Sequence, residues 1–160
     1  MSTRLAKQVG RVLKTRGMLL TTAESCTGGG IAQAITRVSG SSVWFDRGFV
    51  TYSNISKEEM LGVSPDTLEK HGAVSEATVR EMADGVLQFS RAQVALAVSG
   101  IAGPTGGTPE KPVGMVWFAW ASGRTVKTAC HYLSGDRDAI RVKATRIALQ
   151  GVLDLLNNGA

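Results

Sequence analysis

A serine, a cysteine and three glycines stand together where nucleophilic chemistry can be built. Ser25 is followed by Cys26, Thr27 and a run of glycine at 28–30. An apolar segment precedes this stretch and apolar residues at helical spacing follow it, so the pattern predicts a strand, a tight turn and a helix. Backbone N–H groups at a helix start can bind phosphate or stabilise an oxyanion. The alternative is that Ser25 or Thr27 only caps the helix.

A serine nucleophile needs a base, and the chain contains only two histidines. His71 precedes Gly72 at a predicted helix end and His131 falls in a predicted strand, so we expect neither to serve. Lysine is the other available activator when desolvation lowers its pKa. Tyr52 and Lys57 flank a predicted strand end and are candidates, although a strand-end tyrosine and a surface lysine would show the same spacing.

Cys26 is a second candidate nucleophile, because a helix amino end lowers the pKa of a thiol. A lone cysteine is more often a small buried side chain, and we expect Cys130 to be one. Two cysteines and two histidines form neither a disulfide framework nor a four-ligand zinc site. The sequence therefore predicts no metal centre.

Two further segments are candidates for ligand contact. Arg137 and Arg141 lie four residues apart at the start of the last predicted helix, where two cations repel each other and oppose the helix dipole. A bound phosphate would relieve this arrangement, and so would a cluster of salt bridges. Ser99 and Gly100 begin a glycine-rich loop after a predicted strand, a place where α/β proteins often bind ligands.

Helical and strand patterns alternate along the chain and predict one α/β domain over residues 1–160. The predicted sheet is mixed and flanked by helices, because a hairpin with its turn at 122–124 follows the alternating units. The predicted helices cover 3–16, 31–38, 57–61, 76–90 and 136–156. The predicted strands cover 18–22, 48–53, 94–98, 113–121 and 125–133, and a turn is expected at 64–66.

Composition and charge exclude several classes of protein. With 43% hydrophobic and 19% charged residues, the chain is neither disordered, coiled coil nor collagen. The net charge of +5 arises in the first predicted helix, since the rest of the chain carries thirteen basic and thirteen acidic residues. We expect this helix to have a solvated basic face rather than a nucleic-acid or membrane arm, because it lacks aromatic residues. The expected location is the cytoplasm, since neither a signal peptide nor a membrane span is predicted.

Five short motifs occur in one order and together resemble the CinA carboxy-terminal domain family of nicotinamide-nucleotide amidases. The resemblance covers residues 5–156, and the ordered set is specific although each motif alone is weak. The motifs are Thr22–Gly29, Gly48–Asn54, His71–Ser75, Ser99–Pro104 and Ser134–Arg137.

The resemblance implies deamidation of nicotinamide mononucleotide to nicotinic acid mononucleotide and ammonia. It implies that Ser25 is the nucleophile and that Lys57 and Tyr52 activate it, with Lys57 taking the serine proton either directly or through a relay at Tyr52. Together with the charge and loop arguments above, it gives eight residues expected around the substrate, with the arginines on its phosphate. These residues are Cys26, Thr27, Gly28, Gly29, Ser99, Gly100, Arg137 and Arg141.

The resemblance also bears on cofactors and partners. Family members need no metal or organic cofactor and tend to be homodimers, so we expect no cofactor and a homodimer acting on a small-molecule mononucleotide. No membrane partner is expected. The alternative from another class is a non-catalytic regulator that binds a nucleotide in the same pocket.

Overall fold

Three parallel strands end at one edge of a mixed sheet and set the position of the candidate residues. The computed structural model describes residues 2–158. Its strands, in chain order, are β1 (Leu20–Glu24), β2 (Phe45–Val50), β3 (Val94–Gly100), β4 (Met115–Ser122) and β5 (Thr125–Tyr132). Their order in the sheet is β2-β1-β3-β4-β5. Strands β1, β2 and β3 are parallel, whereas β4 runs antiparallel to β3 and β5. The predicted α/β class and mixed sheet are confirmed.

Helices cover both faces of this sheet. The α-helices of the described residues are α1 (Ser2–Arg16), α2 (Gly30–Thr36), α3 (Asn54–Leu61), α4 (Pro65–His71), α5 (Glu76–Gln88) and α6 (Arg137–Asn157). Helices α1, α2 and α6 pack on one face, and α3, α4 and α5 pack on the other. The sheet is therefore buried between two helical layers, which agrees with the apolar character of its central strands.

The two faces of the sheet differ in side-chain size because side chains alternate along each strand. Large residues such as Leu96 and Phe118 meet α1, α2 and α6. On this face Trp120 stacks on Phe118 at 5.6 Å and donates its Nε1 proton to the carbonyl of Ala148. Alanines line the opposite face of β1, β3 and β4, so α5 packs there with α3 beside it.

A glycine permits the close approach of α5 to the end of α3. A Cβ added at Gly85 would lie 1.9 Å from the backbone oxygen of Leu61, the last residue of α3. Because the obstacle is backbone, no side-chain rotation could relieve the clash. This contact fixes the position of the helix that carries Lys57.

The first two strands are displaced from their predicted positions. Strand β1 ends at Glu24 rather than at 22, because the Glu24 carboxylate is buried and accepts hydrogen bonds from the start of α2. Strand β2 ends at Val50 rather than at 53, because Ser53 leaves the sheet to cap α3. Both strand ends were therefore predicted at the wrong residue, because in each case a polar side chain near the end has a structural partner.

The segment after α3 contains a helix whose first residues were predicted to form a turn. Ser64 precedes α4, and Pro65 and Asp66 form its first turn, so the predicted turn residues begin a helix. Proline is compatible with the first helical position because its missing N–H has no intrahelical acceptor there. The expected helix end at His71 is confirmed, and Gly72 follows it.

Other expected features are confirmed. Ser75 caps α5 by accepting from the N–H of Thr78, and Asp136 caps α6 in the same way. The hairpin of β4 and β5 turns where it was predicted. Helix α1 buries Val9 and Leu13. Its basic residues face solvent as expected, namely Arg4, Lys7, Arg11 and Lys14.

Replacing Gly85 by alanine tests the packing that positions α3. The added methyl group overlaps the Leu61 carbonyl, so Gly85→Ala should lower the free energy of unfolding by about 1–3 kcal/mol. Urea denaturation measures this change. Asp84→Ala is the matched control, because Asp84 is the exposed neighbour on the same helix. Equal stability of both variants and the wild type would contradict the described contact.

Candidate active site

The carboxyl ends of β1, β2 and β3 bring the candidate residues together. Glu24 at the end of β1 is in register with Val50 on one side and Val98 on the other. The residues that follow these strands therefore meet at one edge of the sheet, where ligands bind in open α/β sheets. A cavity of about 250 Å³ lies there, lined by Ser25, Cys26, Tyr52, Lys57, Ala73, Val74, Ser99, Gly100, Ala102 and Arg137.

Lys57 and Ser25 form a buried pair at the floor of this cavity. The Lys57 Nζ lies 3.0 Å from the Ser25 Oγ, 2.7 Å from the carbonyl oxygen of Thr51 and 3.5 Å from that of Tyr52. Only 1% of Lys57 is exposed to solvent. The first turn of α3 holds the lysine in place, because Ser53 and Ser56 exchange side-chain and backbone hydrogen bonds.

Burial makes the neutral form of Lys57 accessible near neutral pH, and in that form the amine can accept the serine proton. Burial lowers the pKa of Lys57 from 10.5 to about 8. A neutral amine has two N–H donors and one lone pair, and a carbonyl oxygen can only accept. When the two donors face Thr51 and Tyr52, the lone pair faces the Ser25 hydroxyl. The direct contact between Lys57 and Ser25 leaves no gap that a relay would need to bridge.

Tyr52 contacts a different partner from the one expected. Its side chain is 62% exposed, and its hydroxyl accepts a hydrogen bond from the Arg137 guanidinium at 3.2 Å. Arg137 also donates to the carbonyl of Gly103 at 2.7 Å. The predicted relay through the Tyr52 hydroxyl is not reproduced, because the ring turns toward α6 and only the Tyr52 carbonyl meets Lys57. Tyr52 and Arg137 instead form the exposed mouth of the cavity.

The start of α2 is already occupied by a carboxylate. Glu24, 1% exposed, accepts hydrogen bonds from the N–H groups of Ile31 and Ala32 and from the Thr27 hydroxyl. The sequence predicted an anion site at this helix start, and the protein's own side chain takes that place. Ser25 does not cap the helix either, since Gly29 stands at its N-cap.

Four of the expected substrate residues lie outside the cavity lining, namely Thr27, Gly28, Gly29 and Arg141. Arg141 donates to the carbonyls of Cys26 and Thr27, so its guanidinium rests on the outside of the turn. It lines a separate groove with Thr27. The structure thus separates the two arginines that were expected to share a phosphate, and Arg137 alone reaches the Ser25 cavity.

The Cys26 thiol is a weak candidate nucleophile. Burial raises its pKa to about 11, more than the N–H groups and cations around it can offset. The depression expected from the helix start is therefore outweighed. Cys26 lines the cavity as a buried small side chain, in line with the alternative considered from the sequence.

Sequence reasoning missed the apolar wall of the cavity. Ala73 and Val74 follow α4, and Ala102 follows β3; all three line the site. The motif at 71–75 signalled the first two, but small apolar residues carry no chemical signal of their own. The two histidines lie outside this lining, and His131 packs edge-on against Phe118 as a half-buried structural residue.

Two other kinds of feature are absent from residues 2–158. That part of the chain brings no three His, Cys, Asp or Glu side chains close enough to hold a metal ion. None of its helices is long and apolar enough to cross a membrane.

Fold and site together define an α/β protein with a buried serine–lysine pair at the carboxyl edge of its parallel strands. The chain belongs to the CinA C-terminal domain family, whose sequence model matches residues 2–156. It is 58% identical over 149 residues to the nicotinamide-nucleotide amidohydrolase PncC of Escherichia coli K12, covering 91% of this chain and 89% of that protein. It is 50% identical to PncC of Pseudomonas putida, covering 96% of each. The crystal structure of a competence damage-inducible protein from Klebsiella pneumoniae superposes with a TM-score of 0.96 at 42% identity, covering 99% of each chain.

The buried lysine predicts a pH-dependent cost to stability. Since the folded-state pKa of Lys57 is about 8 and its ordinary pKa is 10.5, the unfolded chain binds the extra proton between these values. Wild-type stability should therefore rise with pH in that window. Relative to Lys57→Met, which has no such proton, the wild type should gain about 2 kcal/mol between pH 7.5 and 10.

Urea denaturation of both proteins at the two pH values measures this gain, and the double difference removes the titration of all other groups. Lys127→Met serves as the control, because Lys127 is an exposed lysine on β5. A difference between wild type and Lys57→Met that does not change with pH would contradict a lowered pKa for Lys57.

Proposed function

We propose that this chain hydrolyses the carboxamide of nicotinamide mononucleotide, releasing ammonia and nicotinic acid mononucleotide. The observation that carries the proposal is the 3.0 Å contact between Lys57 Nζ and Ser25 Oγ on the floor of the cavity at the carboxyl edge of the sheet. A serine next to a desolvated lysine is a nucleophile next to its base. The proposal is supported by relatives at 50–58% identity that carry the name nicotinamide-nucleotide amidohydrolase.

The first half of the reaction transfers the acyl group to the enzyme. Ser25 Oγ attacks the carboxamide carbon while its proton passes to the neutral Lys57 Nζ. The lysine, now an ammonium, gives a proton to the amide nitrogen, the C–N bond breaks and ammonia leaves. This is the direct one of the two routes that the resemblance implied, and the 3.0 Å contact supports it over a relay through Tyr52.

The second half returns the enzyme to its starting state. Water attacks the carbonyl carbon of the acyl-enzyme, and Lys57 Nζ takes the water proton. The bond to Ser25 Oγ then breaks, and Lys57 returns a proton to the serine. The same amine gives and takes every proton. Its pKa of about 8 therefore suits both halves of the cycle.

Substrate recognition is divided between floor and mouth. The nicotinamide ring is held between Ser99, Gly100 and the apolar wall, with its carboxamide at Ser25. The phosphate extends to the mouth, where we propose that Arg137 binds it; Tyr52 and the Gly103 carbonyl already orient that guanidinium. Arginine suits this role because its fork matches phosphate geometry.

The remaining expectations concern context rather than chemistry. A homodimer and a cytoplasmic location stay predictions from the sequence. The basic residues of α1 face solvent, but they lie on a helix without aromatic residues, so we do not propose contact with nucleic acid.

Ammonia release from nicotinamide mononucleotide tests the proposed reaction. The wild type should release ammonia, and Ser25→Ala should lose at least about a thousandfold in kcat, because the covalent route needs the hydroxyl. Ser122→Ala is the matched control: Ser122 is 7% exposed, as Ser25 is, but lies at the far end of β4.

Equal release by the wild type and Ser25→Ala would exclude Ser25 as the nucleophile. Stoichiometric binding of the mononucleotide without ammonia release would instead identify a nucleotide-binding regulator, the alternative that the sequence left open. Calorimetry with the wild type makes that distinction.

Arg137→Met tests the phosphate contact separately from the chemistry. Loss of a charge-assisted contact of about 1.5–3 kcal/mol should raise KM about 10- to 100-fold, with kcat changed less. Steady-state kinetics with nicotinamide mononucleotide gives both constants. A fall in kcat at unchanged KM would contradict the assignment and place Arg137 in the chemical step.

A further inference from the structure

Arg141 donates two hydrogen bonds to the backbone of the turn that follows the nucleophile. Its Nε donates to the carbonyl of Cys26 at 3.1 Å, and its Nη2 donates to the carbonyl of Thr27 at 3.3 Å. The nearest carboxylate, that of Asp138, is 4.0 Å from the remaining nitrogen and is largely exposed. The guanidinium lies so close to the turn that a Cβ at Gly28 would be 3.1 Å from Nη2.

This contact determines which way one peptide group faces. In a trans peptide the C=O and the N–H point in opposite directions. The Cys26 carbonyl points at Arg141, in the groove outside the turn, so the Thr27 N–H of the same peptide points away from that groove. Cys26 lines the Ser25 cavity, whereas Thr27 lines only the groove, so the cavity-side direction of this N–H follows from the opposed carbonyl and not from a contact with the cavity.

Four donors of the turn and helix start are already used. Gly28 donates to the Ser25 carbonyl and Gly30 to the Thr27 carbonyl. The next two N–H groups, of Ile31 and Ala32, donate to Glu24. Within residues 2–158 the N–H groups of Cys26, Thr27 and Gly29 have no backbone acceptor, so they remain available to a ligand. Of these three, the Thr27 N–H is the one whose peptide carbonyl is bound by Arg141 Nε.

We propose that Arg141 is a positioning residue that turns the peptide between Cys26 and Thr27 so that the Thr27 N–H stabilises the oxyanion formed at Ser25. The cation at the carbonyl end also polarises this peptide group and strengthens its N–H as a donor. This role replaces the phosphate contact expected for Arg141 from the sequence. It rests on Ser25 being the nucleophile of the proposed function.

Labelling of Ser25 by a fluorophosphonate tests the role without any nucleotide. Ser25 Oγ attacks phosphorus, its proton passes to Lys57, fluoride leaves, and the phosphoryl oxygen occupies the oxyanion position. Direct loss of an oxyanion donor costs about 10²–10³ in rate, so Arg141→Met, which acts through the peptide, should slow labelling about 10- to 100-fold. Intact-mass spectrometry at several times gives the rate.

Arg146→Met is the matched control, because it removes the same charge from the same helix beside a different groove. It should label at the wild-type rate. Arg141→Lys keeps the charge but cannot span two carbonyls, so it should also slow labelling. Urea denaturation gives the folded fraction of each variant. The labelling rate is then calculated for that fraction alone, so that unfolding is not mistaken for slow labelling.

Kinetics with nicotinamide mononucleotide provide the second readout. Positioning of an oxyanion donor predicts a fall in kcat of about 10- to 100-fold for Arg141→Met with KM within about threefold. Labelling at the wild-type rate, or a rise in KM at unchanged kcat, would overturn the proposal.

The two readouts also separate this inference from the proposed function. If the wild type released no ammonia while Arg141→Met still slowed labelling, the assigned substrate would be wrong and the positioning role would stand. If fluorophosphonate left wild-type Ser25 unlabelled, both assignments would fall.

Discussion

The burial of one lysine amine against one serine hydroxyl is the constraint on which the site depends. Lys57 is almost completely enclosed, and an ammonium in that position is destabilised by the loss of water. Hydrogen bonds offset part of this destabilisation, since two carbonyls that follow β2 and the hydroxyl of Ser25, which follows β1, surround the amine. The capped α3, the tight approach of α5 and the parallel register of the strands all maintain this enclosure.

The turn after Ser25 is held from two sides by opposite charges. Glu24 neutralises the start of α2 from inside the protein, and Arg141 binds the carbonyls of the turn from outside. Together they leave the mouth of the cavity, with Arg137, as the place for an anion. The glycines of the turn permit this arrangement, since Gly28 and Gly29 both have positive φ values that other residues rarely adopt.

Sequence patterns were sufficient for the α/β class, the mixed sheet and the hairpin. The expectation that Ser25 and Lys57 meet in one site came from the family resemblance, because the spacing alone was equally compatible with a surface lysine. They failed where a polar side chain has a structural partner distant in sequence. In the sequence Glu24 follows the predicted strand and is typical of a turn. In the structure it accepts a hydrogen bond from an N–H group at the start of α2. The separation of Arg137 from Arg141 could not be read from their helical spacing, because it depends on which loop packs against each residue.

Direct titration of the Lys57 amine is the sharpest test of this account. The ¹³Cε resonance of Lys57, identified by its loss in Lys57→Met, should titrate near pH 8 in the folded wild type. A Lys57 resonance that titrates only near the ordinary lysine value of about 10.4 would contradict the claim that burial provides Ser25 with a neutral base.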